Sequence, residues 1–476
     1  MPGFIAGSND ARERTSVESR PGPQLQPDAG SGEQDESERQ PDAAPVTVPA
    51  TTEPAPSKKI SPLAVAGWVS YDLGNTVFSF NIVSIYLPLW VVNDMGGRDS
   101  DYGLANSISM GLMFLTAPLL GAISDQAGRR MPYLLSTTLL CVALTLGIGQ
   151  GGLATSLVLF VVANYFYQAG LIFYDALLPI VSTPETRGRV GGIGVGVGYL
   201  GSFLGVGTGL LVLNANPDAK PLVFQITAGL FLLFALPCFL FVREPRRLDA
   251  RPLGPDTLRA AVGELSHTMR RVGRYPGLGR FLIGRIFYAD AANTLIAFMG
   301  IYVSNEVGFA ETETQVLLLA GIAAGVVGGL CWGPIVDRLG PKRTLDVILV
   351  LWLVVFGLVA SIGALDLPGW LFWIAGPLAG IALGGTWTAD RPLMLQLCPP
   401  RYLGQFYGLY AMVGRFAAIT GPLVWSFVVD GLGLGRPAAV MSLAIWIVIS
   451  LVILRGVPNT ARTWGPEDEA PRRAVD

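Results

Sequence analysis

The sequence predicts an all-α membrane protein of twelve transmembrane helices arranged as two pseudo-symmetric six-helix bundles. Three observations support this prediction: an apolar, glycine-rich composition, a regular alternation of long apolar runs with short polar breaks, and an internal repeat. Of 476 residues, 51% are hydrophobic, 14% are charged and 59 are glycine. Soluble proteins carry about 25% charged residues and about 7% glycine, so the composition excludes an ordinary water-soluble fold.

The chain begins with a polar segment for which we expect no stable fold. Residues 1–60 are rich in Asp, Glu, Pro, Ser and Gln, and such a segment buries too little apolar area to offset its conformational entropy. We therefore expect a disordered cytoplasmic tail. It lacks the apolar stretch of a secretory signal, so the first membrane segment is expected to remain uncleaved.

From residue 61 onward, apolar runs of about 20 residues are expected to be helices, because lipid offers the backbone no hydrogen-bond partners. The predicted spans are 66–92, 102–123, 132–151, 154–180, 189–213, 221–242, 280–304, 314–336, 343–364, 369–397, 404–430 and 437–455. The predicted units are an N-terminal bundle (61–242), a cytoplasmic connector (243–279), a C-terminal bundle (280–456) and a cytoplasmic tail (457–476).

Lysine and arginine are concentrated on one set of alternate loops. That set holds Arg129, Arg130, Arg187, Arg189, the arginines of the connector, Arg338, Lys342, Arg343 and Arg401. The opposite set holds only Arg98, Lys220 and Arg436. By the positive-inside rule, both termini and the connector are predicted to face the cytoplasm.

The two halves of the chain share an internal repeat. The loop sequence GAISDQAGRR, which begins at Gly121, returns as GPIVDRLGPKR, which begins at Gly333. The pattern DxxNT begins at Asp72 and again at Asp290, and Asp175 returns as Asp390 at nearly the same offset. Duplication of a six-helix unit explains all three matches, and it predicts two halves related by a pseudo-twofold axis along the membrane normal.

These motifs resemble the major facilitator superfamily over about residues 62–456. GxxxDxxGRR, from Gly121 to Arg130, is similar to the superfamily's signature loop between helices 2 and 3. GWVSYDLGNTVFS, FYDALLP, PETRGRVGGIGVGVGYLG and GQFYGLYAMVGRFAAITGP resemble the branch of vacuolar amino-acid effluxers. The resemblance implies alternating access, a central cavity lined by helices 1, 4, 7 and 10, and export of small solutes, amino acids first among them.

The signature loop and its echo are candidates for a cytoplasmic gate. Their glycines allow a close helix approach, their aspartates can pair with an arginine or face a helix N-terminus, and their arginines sit at the headgroups. The candidate gate residues are Gly121, Asp125, Gly128, Arg129, Arg130, Gly333, Asp337 and Arg343. The alternative is that the loop is only a topological anchor.

Ionisable residues within the spans are the candidates for a solute or proton path, because each costs about 2.5–3.5 kcal/mol at the bilayer centre. The candidates are Asp72, Asn75, Thr76, Asp175, Asp290, Asn293, Thr294, Asp390 and Arg415, with Arg285 and Arg391 completing the cationic set. One interpretation is structural ion pairs between helices. The other is that Arg and Asp hold a zwitterion's carboxylate and ammonium, while an aspartate, first of all Asp72 or Asp290, exchanges a proton.

Several other chemistries are excluded. The only histidine is His267, and the four cysteines match neither a zinc spacing nor a disulfide framework. The GxGxxG pattern at Gly196, Gly198 and Gly201 lies within an apolar, glycine-rich helix, where close packing through Gly201 and Gly205 explains it better than a dinucleotide site. The net charge of −2 offers no basic surface for a nucleic-acid partner. We also expect no cofactor, no metal and no enzymatic activity.

The sequence therefore predicts a secondary transporter that moves a small solute, with an amino acid favoured and efflux the expected direction. A proton is a candidate coupling ion. Proton-coupled transport of another metabolite or drug is one alternative, and a receptor or lipid-handling scaffold of the same fold is another. We expect a monomer within the lipid bilayer, with a bacterial plasma membrane as the favoured location.

Overall fold

The computed structural model describes residues 60–126, 128–216, 218–247, 272–460, 462–465 and 468. Those residues form helices joined by short loops, and no β-strand occurs among them. The predicted disordered tail, most of the arginine-rich connector and most of the C-terminal tail lie outside the described residues. The all-helical class predicted from the sequence is confirmed.

Twelve apolar helices make up the described part of the chain. They are α1 Pro62–Asp94, α2 Asp99–Gln126, α3 Met131–Gly147, α4 Leu153–Asp175, α5 Arg187–Ala215, α6 Lys220–Phe241, α7 Leu278–Tyr302, α8 Glu311–Leu339, α9 Pro341–Ala364, α10 Phe372–Leu397, α11 Leu403–Ser426 and α12 Gly435–Leu454. Eleven of these are long and apolar enough to cross a bilayer. The exception, α3, has 17 residues, or about 26 Å at 1.5 Å per residue, the lower limit for a span.

The fourth helix ends earlier than the sequence predicts. It stops at Asp175, and a separate short helix follows at Leu178–Val181. Pro179 lies in the first turn of that short helix, and it lacks the N–H that would bond to the Asp175 carbonyl four residues earlier. The break leaves the Asp175 side chain at the end of a helix.

Wide π-helical turns interrupt or extend three helices. They occur in α1 at Ser79–Ile85 and Trp90–Asp94, after α7 at Val303–Val307 and after α11 at Phe427–Gly431. Such turns frequently mark functional sites. The apolar periodicity of the sequence gives no sign of them.

Glycines on α5 let this helix contact both α1 and α8 closely. A Cβ on Gly201 would clash with the carbonyl oxygen of Leu73, and one on Gly205 would lie 2.6 Å from Asn81 Oδ1. A Cβ on Gly329 of α8 would lie 2.7 Å from the amide nitrogen of Gly196. Small residues allow backbones to approach in this way. The packing role predicted for Gly201 and Gly205 is confirmed.

The first six helices meet the last six along two seams of small residues. One seam joins α5 to α8, and the other joins α2 to α11. In the second seam, a Cβ on Gly121 would clash with the carbonyl oxygen of Gly404, and one on Gly408 would clash with that of Ala117. The two seams are equivalent under the repeat, because α5 corresponds to α11 and α8 to α2.

The end of the molecule that carries the loops α2–α3, α4–α5, α8–α9 and α10–α11 is called here the basic end. At the opposite end, an ion pair ties the first helix of each half to the last. Lys220 Nζ lies 2.8 Å from Asp94 Oδ2, and Arg436 Nη1 lies 2.7 Å from Glu306 Oε1. In each half the acid lies at or just after the end of the first helix, and the base lies in the first turn of the last helix.

Gly201→Ala is expected to lower the thermal stability of the detergent-solubilised protein, because the Leu73 carbonyl is backbone and cannot swing away. Overpacking of this kind costs about 1–3 kcal/mol. The control is Gly207→Ala on the same helix, where a Cβ meets no atom within 4 Å. Equal melting temperatures for the two variants would contradict the packing described for α1 and α5.

Candidate functional site

A polar cavity of about 350 Å³ lies between the two halves. This volume is near the lower limit of ligand pockets, which span roughly 300–1,000 Å³. Helices α1, α4, α7, α10 and α11 line it, and the lining includes Asn75, Tyr167, Asp175, Arg285, Asn293, Trp387, Arg391, Tyr407, Tyr410 and Arg415. We call it the central cavity. Four of the sequence-predicted path residues line it: Asn75, Asp175, Asn293 and Arg415.

Arg391 bridges the two halves across the cavity. This α10 side chain places Nη1 3.4 Å from Asp72 Oδ2 on α1 and Nε 3.3 Å from Asp175 Oδ1 on α4. All three side chains are largely buried. Because buried charges are retained only when they are paired, separating the halves here requires a replacement partner for each charge.

Asp390, the neighbour of Arg391 in sequence, bonds only within the second half. Its carboxylate accepts hydrogen bonds from Arg285 Nε at 3.0 Å, from Tyr288 at 2.5 Å and from Tyr410 at 2.8 Å. Arg285 in turn stacks over the Tyr410 ring, 3.6 Å from its centroid. Asp390 is fully buried and lies behind Arg285, so it orients the cavity wall and does not face the cavity.

Arg415 is the cavity cation without a carboxylate partner among the described residues. It donates a hydrogen bond from Nη2 to Gln168 Oε1 on α4, while its buried Nε has no hydrogen-bond partner there. Across the cavity, the buried Oδ1 of Asn75 is also unbonded. The cavity therefore presents a free guanidinium donor and a free amide acceptor.

Asp290 and Thr294 lie apart from the cavity, although the sequence groups them with Asp72 and Thr76. The Asp290 carboxylate is fully buried against α11 and accepts hydrogen bonds from Thr420 Oγ1 and the Gly421 amide, each at 2.8 Å. Thr294 Oγ1 lies 3.4 Å from the same carboxylate. A Cβ on Gly421 would clash with Thr294 Oγ1, so small residues on α11 leave room for this contact.

Thr76 likewise serves helix packing. Its hydroxyl donates to the Asp72 carbonyl one turn earlier at 2.9 Å. The Thr76 hydroxyl and the Asp72 carboxylate both face α5 at Gly198, where a Cβ would lie 3.4 Å from each. Asp72 thus reaches the cavity through Arg391, and Thr76 does not line it.

At the basic end, Asp125 of the signature loop caps a helix of the other half. Its Oδ1 accepts the Gly404 amide at 2.7 Å and its Oδ2 the Gln405 amide at 2.8 Å. These are the second and third residues of α11, whose first-turn amides have no partner within the helix. A carboxylate at this position also compensates the helix dipole.

The echo of the loop makes the equivalent contact in the other direction. Asp337 accepts the Gly188 amide at 2.7 Å and the Arg189 amide at 3.2 Å, and it pairs with Arg189 Nε at 3.2 Å. The backbones come close because Gly333 packs against Gly188, as Gly121 packs against Gly404. Two aspartate caps therefore hold the halves together at the basic end.

The other candidate gate residues have different surroundings. Arg130 is buried and pairs with Asp125 at 2.8 Å, whereas Arg129 and Arg343 are exposed. The Gly128 carbonyl accepts the Arg247 amide at 2.9 Å. Arg129 and Arg343 make no ion pair within the described ranges, so their position fits headgroup contact rather than the seam.

The site includes two arginines that the sequence gives only as completing the cationic set, and further residues that are not among its path and gate candidates. Arg285, Arg391 and the tyrosines of α4 and α11 line the cavity, and Glu244 after α6 accepts the Met131 amide at 3.1 Å and lies 3.7 Å from Arg130. The arginines are visible in the sequence as charges within apolar spans. The tyrosines carry no such signal, because aromatic residues are common throughout membrane helices.

The chain matches proteins of known family over most of its length. A family model described as "Vacuole effluxer Atg22 like" matches residues 98–462. An uncharacterized MFS-type transporter, YxiO of Bacillus subtilis, is 26% identical over 83% of this chain and 95% of its own length. Autophagy-related protein 22-1 of Penicillium rubens is 26% identical over 58% of this chain and 50% of its own length.

A solved structure supports the same fold. The fucose:proton symporter FucP of E. coli aligns with a TM-score of 0.65 at 14% sequence identity, over 83% of this chain and 97% of that one. At this identity the likeness concerns the fold alone. It agrees with two six-helix halves around a central cavity, and the matched relatives and structures are transporters rather than enzymes.

Asp125→Asn is expected to open the basic end more often, because charge-assisted hydrogen bonds contribute about 1.5–3 kcal/mol and neutral ones about half as much. The reporter is Cys398, a buried thiol directly after α10 and five residues before Leu403, where the helix that Asp125 caps begins. With Cys331→Ala removing the exposed thiol, maleimide labelling of Cys398, located by mass spectrometry, should be roughly tenfold faster.

The matched control for this experiment is Asp346→Asn. Asp346 also lies near the basic end, but it pairs with Lys342 on its own helix at 2.5 Å. Its loss should leave Cys398 labelling unchanged. If Asp125→Asn labels no faster than the control, the aspartate cap does not hold the seam closed.

Proposed function

This chain belongs to the Atg22-like vacuole effluxer family of the major facilitator superfamily, and we propose that it exports a small zwitterionic solute, an amino acid first of all. As a transporter of this type it is a multi-pass membrane protein. We propose that it works as a monomer in a bacterial plasma membrane, with the basic end and both termini in the cytoplasm. The observation that carries the proposal is the unpaired guanidinium of Arg415 opposite an aspartate in one cavity.

Arg415 binds the carboxylate of the solute in this proposal. Its buried Nε lacks a partner among the described residues, and a planar guanidinium can donate two parallel hydrogen bonds to a carboxylate. The neighbouring guanidinium of Arg285 is already committed to Asp390. The solute therefore supplies the carboxylate that Arg415 lacks.

Asp175 and Asn75 receive the ammonium group on the opposite side. Asp175 Oδ1 has the Arg391 ion pair but no well-aligned hydrogen bond, and Asn75 Oδ1 has none. An ammonium at this position competes with Arg391 for the carboxylate. Binding thereby weakens the bridge between the halves, which couples occupancy of the cavity to opening at the basic end.

Alternating access follows from two sets of contacts that must break together. The Arg391 bridge lies in the cavity, and the caps by Asp125 and Asp337 lie at the basic end. Solute binding loosens the first set, and separation of α2 from α11 and of α5 from α8 follows. We propose rigid-body rocking of bundles 61–242 and 280–456, with the connector 243–279 between them.

A proton is carried by the carboxylates that share Arg391. The described membrane helices contain no histidine, so a coupling proton has to ride on Asp or Glu. Asp72 and Asp175 compete for one guanidinium, and protonation of either frees Arg391 to bond fully to the other. Asp290 is satisfied by Thr420 and the Gly421 amide, which supports a packing role.

Arg415→Gln is expected to raise the half-saturating concentration of an amino acid about tenfold or more, because a hydrogen-bonded charge pair is worth roughly 1.5–3 kcal/mol. The half-saturating concentration is measured by counterflow of radiolabelled amino acids in proteoliposomes. Arg436→Gln, which removes a cation at the opposite end, is the control. The zwitterion assignment would be refuted if the two variants had the same kinetics. It would also be refuted if the wild type transported only solutes without a carboxylate.

Asp72→Asn and Asp175→Asn are each expected to abolish accumulation driven by an imposed pH gradient, because an amide does not exchange the proton. Asp290→Asn should lower the melting temperature and keep the response to the gradient. Uptake with and without a gradient, alongside thermal melts, separates these outcomes. Loss of the pH response in Asp290→Asn alone would move the proton site to α7.

A further inference from the structure

The residues that follow α12 return to the basic end and contact two of its loops. Asn459 lies at the loop α8–α9, where its Oδ1 accepts the Arg343 amide and its Nδ2 donates to the Leu339 carbonyl, each at 3.2 Å. Gly340, with a φ of +85°, leaves room for this contact, because a Cβ there would lie 2.8 Å from Asn459 Oδ1. One side chain thus satisfies the end of α8 and the start of α9.

Two further residues of this segment lie at the loop α10–α11. The Trp464 ring packs edge-on against Tyr275, with ring centroids 5.9 Å apart, and Tyr275 packs in the same way against Phe406 at 5.6 Å. Asp468 Oδ1 accepts the Tyr275 hydroxyl at 3.0 Å. The Asp468 carbonyl accepts the Arg401 amide at 3.4 Å. We call the following three residues the C-terminal brace: Asn459, Trp464 and Asp468.

The C-terminal brace supports the turn of α11 that is capped across the seam. Phe406 is fully buried and directly follows Gly404 and Gln405, whose amides bond to Asp125 of the first half. Tyr275, which is also buried, lies between Phe406 and the brace. The brace contacts named above all lie from residue 275 onward. The brace therefore holds α11 from its own half, and it does not close the seam by itself.

The repeat indicates why the loop α10–α11 uses this support. In the first half, the corresponding loop α4–α5 bonds to itself. The Thr183 amide donates to Thr186 Oγ1 at 3.0 Å, and the two hydroxyls lie 3.1 Å apart. At the offset of 215 residues between the aspartates of α4 and α10, Cys398 and Arg401 occupy those positions. Neither carries a hydroxyl, and the Arg401 amide bonds to Asp468 instead.

We propose that the C-terminal brace controls opening at the basic end by holding the first turn of α11 where Asp125 can cap it. The capping bonds are 2.7 and 2.8 Å long, and hydrogen bonds weaken steeply when their geometry is disturbed. Release of the brace frees this turn to move, and the seam opens more often. The proposal rests on the proposed opening of the α2–α11 seam and not on the identity of the solute.

The test is maleimide labelling of Cys398 with Cys331→Ala as the parent, which requires no solute. Trp464→Ala should label about threefold faster or more, because the aromatic contact that holds Tyr275 against α11 is lost. Tyr275→Phe keeps both ring contacts and removes only the hydrogen bond to Asp468. It should therefore label faster than the parent, by a smaller factor than Trp464→Ala.

The matched control is Thr463→Ala, an exposed neighbour of Trp464 in the same segment, which should label like the parent. Equal labelling rates for Thr463→Ala and Trp464→Ala would overturn the proposal. Size-exclusion profiles and melting temperatures verify that each variant folds.

A double variant separates control of the cap from loosening of the loop that carries Cys398. With Asp125→Ala the cap is absent, so adding Trp464→Ala should change the labelling rate less than about 1.5-fold, since both changes act on one contact. An equal factor with and without the cap would show that only the loop loosens, and the proposal would fail. If Asp125→Ala does not fold, Asp125→Asn replaces it, and the factor should still be smaller than in the parent.

The same measurements distinguish the brace from the proposed function. Faster labelling in Asp125→Asn together with no change in Trp464→Ala would leave the opening of the seam standing and overturn the brace alone.

Discussion

The structure depends on one electrostatic constraint: charges withdrawn from water into a membrane protein have to find partners there. Arg391 meets it by serving two carboxylates, Asp72 and Asp175, which belong to the other half of the molecule. One guanidinium shared by two acids leaves the three groups together with a net negative charge. A cationic group or a proton that enters the cavity can balance this charge, which is the basis of the proposed coupling between solute binding and opening.

At the basic end, contacts between aspartates and helix N-termini join the two halves, as the ion pairs of Arg391 do in the cavity. Asp125 and Asp337 satisfy unbonded amides at the starts of α11 and α5. Breaking such a contact costs little free energy, because the amides and the aspartates can both form hydrogen bonds to water at the membrane surface instead. Close packing through Gly121 and Gly333 makes the contact geometry specific. Hydrogen bonds of this kind suit a seam that opens and closes.

The two halves of the molecule use the matched residues of the repeat differently. Asp72 pairs across the halves with Arg391, while its counterpart Asp290 is bound by Thr420 and the Gly421 amide of α11. Asp175 faces the cavity, while Asp390 lies behind Arg285. The proposed zwitterionic solute is asymmetric, so a symmetric site would present the wrong group on one side. At the end opposite the basic end the halves are more alike, because each pairs its first helix with its last, through Asp94–Lys220 and Glu306–Arg436.

The sequence by itself determined the helices, because apolar runs in lipid have no other way to satisfy their backbone. Glycine and aspartate at fixed spacing identified the repeat and its loop aspartates, for which an arginine or a helix N-terminus was the expected partner. The sequence also identified Asn75, Asp175, Asn293 and Arg415, which do line the cavity. Only the tertiary structure decided which of the repeated aspartates lie at that cavity. It also decided that Arg391 pairs with both Asp72 and Asp175. A side chain's partner lies on another helix, and the rotation of each helix about its axis is set by packing, which repeated motifs do not encode.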